Sequence, residues 1–286
     1  MTIVDMRLRP PLKSWVKQLQ FTRGDDYYNK LGYERPASTR TQSTRDLLAE
    51  MDKAGVQWGV IMGRQSESQL GVIPNDEIAE CVAQYPDRFV GWVGLDLAQP
   101  MDWCLKEIDR CLKLPGFKGV SIEPPISKNP NLHKSDDPLL DPIYEDCVRR
   151  QVPINITLSA QLQARLGRPY EDSSPLQLYG VARRFPKLVI HVAHAAWPYV
   201  LDMIGVTFVC PNIWLSPDQY MVKKLPGAEE YAKAVNNYFY DRACFGTAYP
   251  SRPHDKMVQE YQELGFSDEV YAKVMGKNAL RLMKMD

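Results

Sequence analysis

The alternation of apolar and polar positions divides the chain into short strands and longer amphipathic helices in regular succession. Eight short apolar runs predict strands, at Ile3–Arg9, Trp58–Arg64, Arg88–Asp96, Phe117–Glu123, Val152–Ser159, Leu188–His194, Ile213–Ser216 and Ala243–Ala248. Helical periodicity between them predicts helices, among others over 41–54, 75–85, 100–112, 138–150 and 267–284. Strand-then-helix units with nearly continuous apolar strands are typical of a parallel sheet closed on itself. We therefore predict an α/β fold, a single-domain (β/α)8 TIM barrel over residues 1–286.

The first strand ends in two arginines on alternate positions, directly before a double proline. In a regular strand Asp5, Arg7 and Arg9 would share one face, and the apolar residues between them would share the other. Two guanidiniums at one strand end are costly to bury without an anion, because neither loses its proton. The pattern predicts that this strand forms one wall of an anion site.

A long connection, residues 12–39, follows the first strand. Connections of this length are usually functional or form an interface. This one carries five large aromatic residues, Trp15, Phe21, Tyr27, Tyr28 and Tyr33. Two hypotheses remain open: a lid over the site, or an aromatic patch that packs against a second subunit in a homodimer.

The composition limits the classes of partner. The chain has 35 Lys and Arg residues against 35 Asp and Glu residues. No basic stripe is interleaved with aromatic residues, so nothing indicates binding to nucleic acid or to an anionic membrane. No apolar run reaches the roughly 18 residues of a membrane span. With no basic-then-apolar leader at the N-terminus, we expect a cytoplasmic protein.

The sequence shows neither a metal-binding cysteine pattern nor a motif for a known cofactor. Six cysteines follow no zinc-binding pattern and lie mostly in apolar stretches, so we interpret them as reduced small hydrophobic residues. No dinucleotide fingerprint, phosphate-binding loop or nucleophile elbow is present. We therefore expect no cofactor and a small carboxylated molecule as the partner.

In a barrel of this type the chemistry lies where strands end and the following loops begin. The residues at those positions are mostly polar. Our candidate catalytic residues are His194, Arg7, Arg9 and Glu123. Our candidate substrate-binding residues are Arg64, Asn155, Thr157, Trp197, Asp218, Tyr249 and Arg252.

The charged candidates each have two interpretations. Arg7 and Arg9 could form an internal ion pair with Asp5 or Glu123, or together with Arg64 they could clamp a substrate carboxylate. Glu123 could be the partner in that ion pair, a general acid or base, or both.

The neutral and loop candidates are equally open. Asn155 and Thr157 could bond the substrate or fill the barrel interior, and Trp197 could form a pocket wall or pack a helix. Asp218 could orient a substrate hydroxyl or cap the next helix. Tyr249 and Arg252 lie on the last loop of the barrel, a usual place for capture of phosphate or carboxylate.

Four stretches of the chain carry a resemblance to a known family: Ile3–Arg9, Phe185–His194, Phe245–Pro250 and Gly276–Leu282. In order and spacing they resemble the amidohydrolase superfamily, specifically its decarboxylase-like branch of metal-dependent barrel hydrolases. The resemblance covers essentially the whole chain. It implies the barrel fold, the location of the pocket and a small carboxylated substrate, and members are often dimers.

The metal ligands of that family are largely replaced. Arg7 and Arg9 stand where the family has the two histidines of its D-x-H-x-H motif, Thr157 where it has a strand 5 histidine, and Ala248 where it has a strand 8 aspartate. Only His194 remains, and the resemblance directs it into the barrel and His191 toward the helices. A guanidinium ~4 Å from a divalent ion costs about 8 kcal/mol at an effective dielectric near 20. We expect no metal in the family position.

These observations lead to a functional expectation with three alternatives. We expect a metal-independent hydrolase of a small carboxylated lactone or cyclic acid, in which the arginines bind the carboxylate and His194 activates water. The first alternative is a metal-independent lyase, a decarboxylase or hydratase acting on a dicarboxylate, with His194 or Glu123 as the proton shuttle. The second is a non-catalytic protein that binds a small acid. The third keeps a metal at a relocated site formed by His194, Glu123 and Asp218.

Overall fold

A seven-stranded parallel sheet in sequential order forms the centre of the computed structural model, which describes residues 1–66, 70–165 and 167–286. Each strand pairs in parallel with the next one along the chain. The strands are β1 Ile3–Leu8, β2 Val56–Met62, β3 Phe89–Gly94, β4 Phe117–Ile122, β5 Ile154–Thr157, β6 Ile190–Ala193 and β7 Ile213–Ser216. The predicted TIM barrel is confirmed.

Helices separate the strands and form the outer layer. They are α1 Leu19–Thr22, α2 Asp25–Asn29, α3 Ala37–Thr41, α4 Thr44–Ala54, α5 Asn75–Gln84, α6 Met101–Leu112, α7 Asp141–Arg150, α8 Ala160–Arg165, α9 Leu176–Arg184, α10 Val200–Val209, α11 Ala228–Ala234, α12 His254–Glu263, α13 Asp268–Ala272 and α14 Asn278–Leu282. A π-helical turn, Lys273–Lys277, joins the last two. In the described part of the chain, no helix is both long enough and apolar enough to cross a bilayer.

The local signals of the sequence explain several helix boundaries. Helix α4 begins after Ser43, whose Oγ accepts a hydrogen bond from the backbone N–H of Asp46 (3.3 Å). It ends at Gly55, which has a φ of 73° and therefore takes the left-handed conformation that glycine adopts readily. The predicted start at residue 41 is early because the preceding α3 extends to Thr41.

The predicted eighth strand, Ala243–Ala248, is wrong as a regular strand of the sheet. The segment 243–249 instead closes the barrel through isolated parallel bridges, Leu215 with Ala243 and Leu8 with Tyr249. Its backbone is diverted because the N–H of Phe245 donates to the carbonyl of Val274 (2.9 Å) in the π-helical turn. These bonds replace a continuous ladder between β7 and β1.

Strand β1 contains a bulge that changes which side chains face the interior. Asp5–Leu8 pairs with Gly59–Ile61 of β2, so β1 has one residue more than its neighbour over this stretch. The Asp5 carboxylate lies outside the barrel, where it accepts hydrogen bonds from the backbone and hydroxyl of Thr247 (3.0 and 2.5 Å). Arg7 points into the interior. The prediction that Asp5 and Arg7 share a face is therefore wrong.

The long connection after β1 is folded rather than open. It contains α1 and α2 and runs into α3. Trp15, Phe21 and Tyr28 are at most 1% exposed, and the Phe21 ring packs edge-on against Tyr249 with centroids 6.2 Å apart. Most of its aromatic side chains are thus buried against other residues of this chain and do not form an exposed patch. This favours the hypothesis of a lid over the site.

The six cysteines are free thiols in buried positions. Burial raises the pKa of Cys244 to about 12, so this thiol stays protonated and apolar in character. This agrees with the interpretation of the cysteines as small hydrophobic residues.

Candidate active site

A cavity of about 350 Å³ opens where the strands end, and most of the predicted site residues line it. The lining includes Arg7, Arg9, Arg64, His194, Trp197, Tyr249 and Arg252. Of the other candidates, Glu123 and Thr157 contact Arg7, and Asp218 contacts His194. Asn155 lies one step further from the cavity, where it bonds Thr157. The structure therefore brings the predicted set together around one space.

Three arginines converge on one carboxylate at the floor of the cavity. Arg7 Nη2 and Arg9 Nη2 lie 2.9 and 3.2 Å from Glu123 Oε1. Arg64 binds in a bidentate manner, with Nε 2.5 Å from Oε2 and Nη2 3.1 Å from Oε1. We call these four residues the guanidinium cluster. None is more than 8% exposed, and three cations around one anion leave an excess of two positive charges.

The backbone around Arg64 explains how the third guanidinium reaches the cluster. Arg64 follows β2 and forms two backbone hydrogen bonds with Ile73 (3.0 and 2.7 Å), which hold its main chain in place. The neighbouring strand approaches very closely, since a Cβ on Gly94 would lie 2.2 Å from the carbonyl carbon of Gly63. Only glycine at both positions permits this approach.

The cluster keeps Glu123 ionised and makes the charged form of Arg9 less favourable. Burial alone would raise the pKa of the Glu123 carboxyl, but the charges of Arg64, Arg9 and Arg7 hold it well below its ordinary value. Burial lowers the pKa of Arg9 well below its ordinary value, and the charges of Arg7 and Arg64 lower it further. Glu123 thus has no proton to donate near neutral pH, which favours its role as an ion-pair partner. A second anion would relieve the remaining repulsion.

An aromatic ring from the long connection covers the cluster. Trp15 packs over two guanidiniums, with its ring centroid 5.5 Å from Arg9 Cζ and 6.0 Å from Arg64 Cζ. Trp15 was noted in the sequence only as one of five aromatic residues. The signal that could have selected it is its place close after the arginine-bearing strand.

His194 and Asp218 form a hydrogen-bonded pair beside the cluster. Asp218 Oδ1 lies 2.8 Å from Nδ1 of His194, and Oδ2 accepts a hydrogen bond from the His194 backbone N–H (3.0 Å). Because a carboxylate only accepts, Nδ1 is the protonated nitrogen. Nε2 is then the nitrogen available for proton transfer, and the side chain lines the cavity.

Unusual backbone conformations hold this pair. His194, Ala195 and Ala196 have φ values of 65°, 42° and 56°, and Asp218 has a φ of 43°. Each such conformation costs on the order of 1–3 kcal/mol for a residue with a side chain. The surrounding structure maintains the turn, for example through the Tyr231 hydroxyl, which donates to the Ala195 carbonyl (2.5 Å). Such strain is concentrated at functional sites.

His191 also lies inside the barrel, so the expectation that it faces the helices is wrong. Its Nδ1 is 2.9 Å from Oδ1 of Asn155, and its ring packs against Trp92 at 5.8 Å. Alternation along β6 directs His191 inward, and the left-handed backbone of His194 turns that second side chain inward as well. Burial lowers the pKa of His191 to about 3, with a further contribution from the charge of Arg7, so it is neutral.

Two stacked rings form an aromatic wall next to His194. Trp197 and Tyr220 stack with centroids 4.7 Å apart and planes 7° apart, and Tyr220 meets the His194 ring edge-on at 5.7 Å. The Tyr220 hydroxyl bonds Ser159 Oγ (2.8 Å). Tyr220 was not predicted, although it follows Asp218 by two residues in the same loop.

The comparison with known proteins decides the family. A sequence model of the family described as amidohydrolase matches residues 4–284. The chain belongs to the amidohydrolase family. A curated relative, the 2-amino-3-carboxymuconate-6-semialdehyde decarboxylase of Dictyostelium discoideum, is 25% identical over 261 residues, which cover 81% of this chain and 71% of that protein.

Solved structures of similar proteins show the same fold. An uncharacterised TIM-barrel protein from Bordetella bronchiseptica is 30% identical, with a TM-score of 0.89 and coverage of 100% of this amidohydrolase and 99% of that chain. A dihydroxybenzoic acid decarboxylase from Polaromonas sp. JS666, solved with bound manganese and the inhibitor 2-nitroresorcinol, has a TM-score of 0.69 at 15% identity and coverage of 99% and 96%.

The expected hydrolase activity is corrected by these comparisons. The relatives with a stated activity are decarboxylases, which are lyases and not hydrolases. They favour the lyase alternative over the main expectation. The expectation of metal independence gains no support either, because one of these decarboxylases was solved with manganese.

The residues of this amidohydrolase do not fit a divalent cation at the family position. Arg7 Nη1 donates to Thr157 Oγ1 (3.0 Å) and lies 3.1 Å from Met62 Sδ, so a cationic donor fills the space between β1 and β5. Across the described residues, no group of three or more His, Cys, Asp or Glu side chains is arranged to hold a metal.

Proposed function

We propose that this amidohydrolase is a lyase that removes a carboxylate from a small aromatic or conjugated acid as carbon dioxide. The observation that carries the proposal is the placement of the His194–Asp218 pair and the guanidinium cluster on one cavity. A family that includes decarboxylases supports the reaction class. The same residues could bind a small acid without turnover, which the experiment below distinguishes.

His194 is the proposed proton donor. When the bond between the substrate carbon and the carboxylate breaks, its electron pair is shared between that carbon and the oxygen conjugated with it, and the carbon must gain a proton. His194 Nε2 in its protonated form would supply the proton, giving the decarboxylated product and carbon dioxide, and water would then reprotonate the imidazole. Asp218 accepts from Nδ1 at 2.8 Å and stabilises the imidazolium that precedes transfer.

The guanidinium cluster is proposed to bind the oxygen atoms on which charge develops. A carboxylate becomes neutral as it leaves, so binding its charge tightly would favour the ground state and slow the reaction. An enolate or phenolate oxygen next to the reacting carbon instead gains charge in the transition state. We therefore place that oxygen near Arg9 and Arg64, the cluster members under Trp15.

The aromatic wall fits a flat substrate. The rings of Trp197 and Tyr220 are stacked and nearly parallel, so the pair presents a rigid apolar surface beside His194. A planar ring or conjugated chain would lie against such a surface at little entropic cost. This favours an aromatic or conjugated acid over a saturated one.

The proposal is tested by incubation with a panel of hydroxybenzoates and conjugated semialdehyde acids, with carbon dioxide release and deuterium incorporation from D2O as readouts. Turnover with one deuterium at the carbon that carried the carboxylate is expected. His194→Asn should lower kcat by about 10²- to 10⁴-fold with a small change in KM.

His133→Asn is the matched control, because this histidine bonds Arg168 and does not line the cavity. It should retain wild-type turnover. Thermal stabilisation by several panel acids, together with no carbon dioxide release from any of them, would instead indicate a binding protein and overturn the lyase proposal.

A further inference from the structure

Arg252 lines the cavity but is not part of the guanidinium cluster. Arg252 lies between the closing segment 243–249 and α12, is 7% exposed and lines the same cavity. Its Nη1 donates to the Tyr27 hydroxyl and to the Ser251 carbonyl, both at 3.3 Å. These partners are neutral. Among the residues that the structure describes, no carboxylate forms an ion pair with Arg252.

The Arg252 guanidinium is also incompletely bonded. Its Nε is buried and has no hydrogen-bond partner. A buried charged donor without a partner is unfavourable, and native structures usually satisfy such groups with protein, water or ligand. The bond from Nη1 to Tyr27 holds the long connection in place, but it does not account for the unpaired Nε. The unused donor favours a ligand.

The residues around Arg252, which form what we call the rim of the cavity, favour the binding of an anion. The Tyr33 ring lies 5.9 Å from Arg252 Cζ. Arg23, a second cation on the cavity wall, packs over the Tyr27 ring at 4.1 Å and donates to Ser251 Oγ at 3.2 Å. The rim therefore combines positive charge with the hydroxyl of Tyr27, which can rotate to donate.

We propose that Arg252 and Tyr27 form an anion subsite at the rim of the cavity, which binds a second, non-reacting carboxylate of the substrate. The substrate class is then a small dicarboxylate whose far end lies at the rim while the reacting carbon lies near His194. This inference rests on the proposed function for the choice of reacting carbon. The subsite itself is tested by binding alone.

The test is isothermal titration calorimetry of the full chain with benzoate and with its meta- and para-carboxylated forms, isophthalate and terephthalate. Hydrogen bonds between charged groups are stronger than those between neutral groups, so at least one dicarboxylate should bind about tenfold or more tightly than benzoate. Arg252→Gln should remove this preference and change the Kd of benzoate by less than about twofold. Arg252→Lys should retain part of it because it keeps the charge.

Arg45→Gln, on the exposed face of α4, is the matched control and should leave every affinity unchanged. Equal weakening of benzoate and dicarboxylates by Arg252→Gln, or equal loss in Arg252→Gln and Arg252→Lys, would assign Arg252 a structural role and overturn the subsite. So would a wild-type protein with no preference for either dicarboxylate. Calorimetry measures binding without turnover, so the test of the subsite remains valid even if no decarboxylase activity is found.

Discussion

Glu123 is the residue on which the cationic floor of the cavity depends. Its two oxygens receive four contacts from three guanidiniums, and it is 8% exposed. The sequence predicted the members of this cluster, because polar residues at strand ends of a barrel meet at one mouth. It could not predict that all three arginines share one carboxylate, since that depends on side-chain reach and on the β1 bulge.

Glu123→Gln should strongly destabilise the protein. The substitution keeps the size of the side chain but leaves three buried cations without a counter-charge. Removing one partner of a buried ion pair costs about 3–5 kcal/mol. Urea denaturation at pH 7 measures the free energy of unfolding. The matched control is Glu269→Gln, which removes an exposed pair with Lys273 and should leave stability unchanged.

A loss below about 1 kcal/mol in Glu123→Gln would contradict this account of the cluster. It would mean that the three guanidiniums are solvated or separated in solution.

His191 makes stability depend on pH in the acidic range. Its pKa falls from the ordinary 6.5 to about 3 in the folded protein, so below pH 6.5 the unfolded chain binds a proton that the folded chain does not. Stability from this residue is therefore complete above pH 6.5 and is lost progressively down to about pH 3, by about 1.4 kcal/mol per pH unit. His191→Gln should lack this component.

The measurement is urea denaturation of wild type and His191→Gln at pH 7 and pH 5. Wild type should lose about 2 kcal/mol more than the variant over this interval. Equal losses would show that His191 is hydrated or protonated in the folded state.

At the scale of single elements, two functional side chains take directions that a regular strand would not give them. Alternation along β1 fails at its bulge, and the inward direction of His194 comes from the left-handed turn after β6. Hydrophobic periodicity cannot indicate an extra residue in a ladder, because pairing with β2 determines it. The side chains of Arg7 and His194 are the ones that these irregularities direct into the barrel.

Gly94→Ala should disturb the element that positions Arg64. The added Cβ would lie 2.2 Å from the carbonyl carbon of Gly63 and 2.4 Å from the backbone nitrogen of Arg64, so backbone must move. Overpacking of this kind costs about 1–3 kcal/mol. We expect that loss in urea denaturation, together with weaker binding of benzoate in calorimetry.

The control is Gly205→Ala, at an exposed position of α10 where the new Cβ meets no atom within 4 Å. It should stabilise the protein by about 0.5–1 kcal/mol, because alanine favours the helix. If Gly94→Ala instead left stability unchanged, the close approach of β2 and β3 would not be a constraint.

At the scale of the whole molecule, the barrel was predictable and its closure was not. Regular succession of apolar strands and amphipathic helices leaves few alternatives to a closed parallel barrel. The segment 243–249, however, has the composition of a strand, but its N–H groups have different partners: that of Cys244 bonds Leu215 of β7, and that of Phe245 bonds Val274 in the π-helical turn. Closure thus depends on the C-terminal helices as well as on the bridges to β7 and β1. The same segment leads to Arg252, so closure and the rim of the cavity are connected.

Asn278 ties this segment to the C-terminal helices, so Asn278→Ala should loosen the closure of the barrel. Its Nδ2 donates to the carbonyls of Tyr240 (2.9 Å) and Ala243 (2.8 Å), and the residue is 3% exposed. Leaving the buried carbonyl of Ala243 unsatisfied costs about 1–3 kcal/mol. Hydrogen exchange at the Cys244 amide should accelerate. Asn237→Ala, which removes an exposed bond, should leave that exchange unchanged; equal exchange in both variants would place the closing interaction elsewhere.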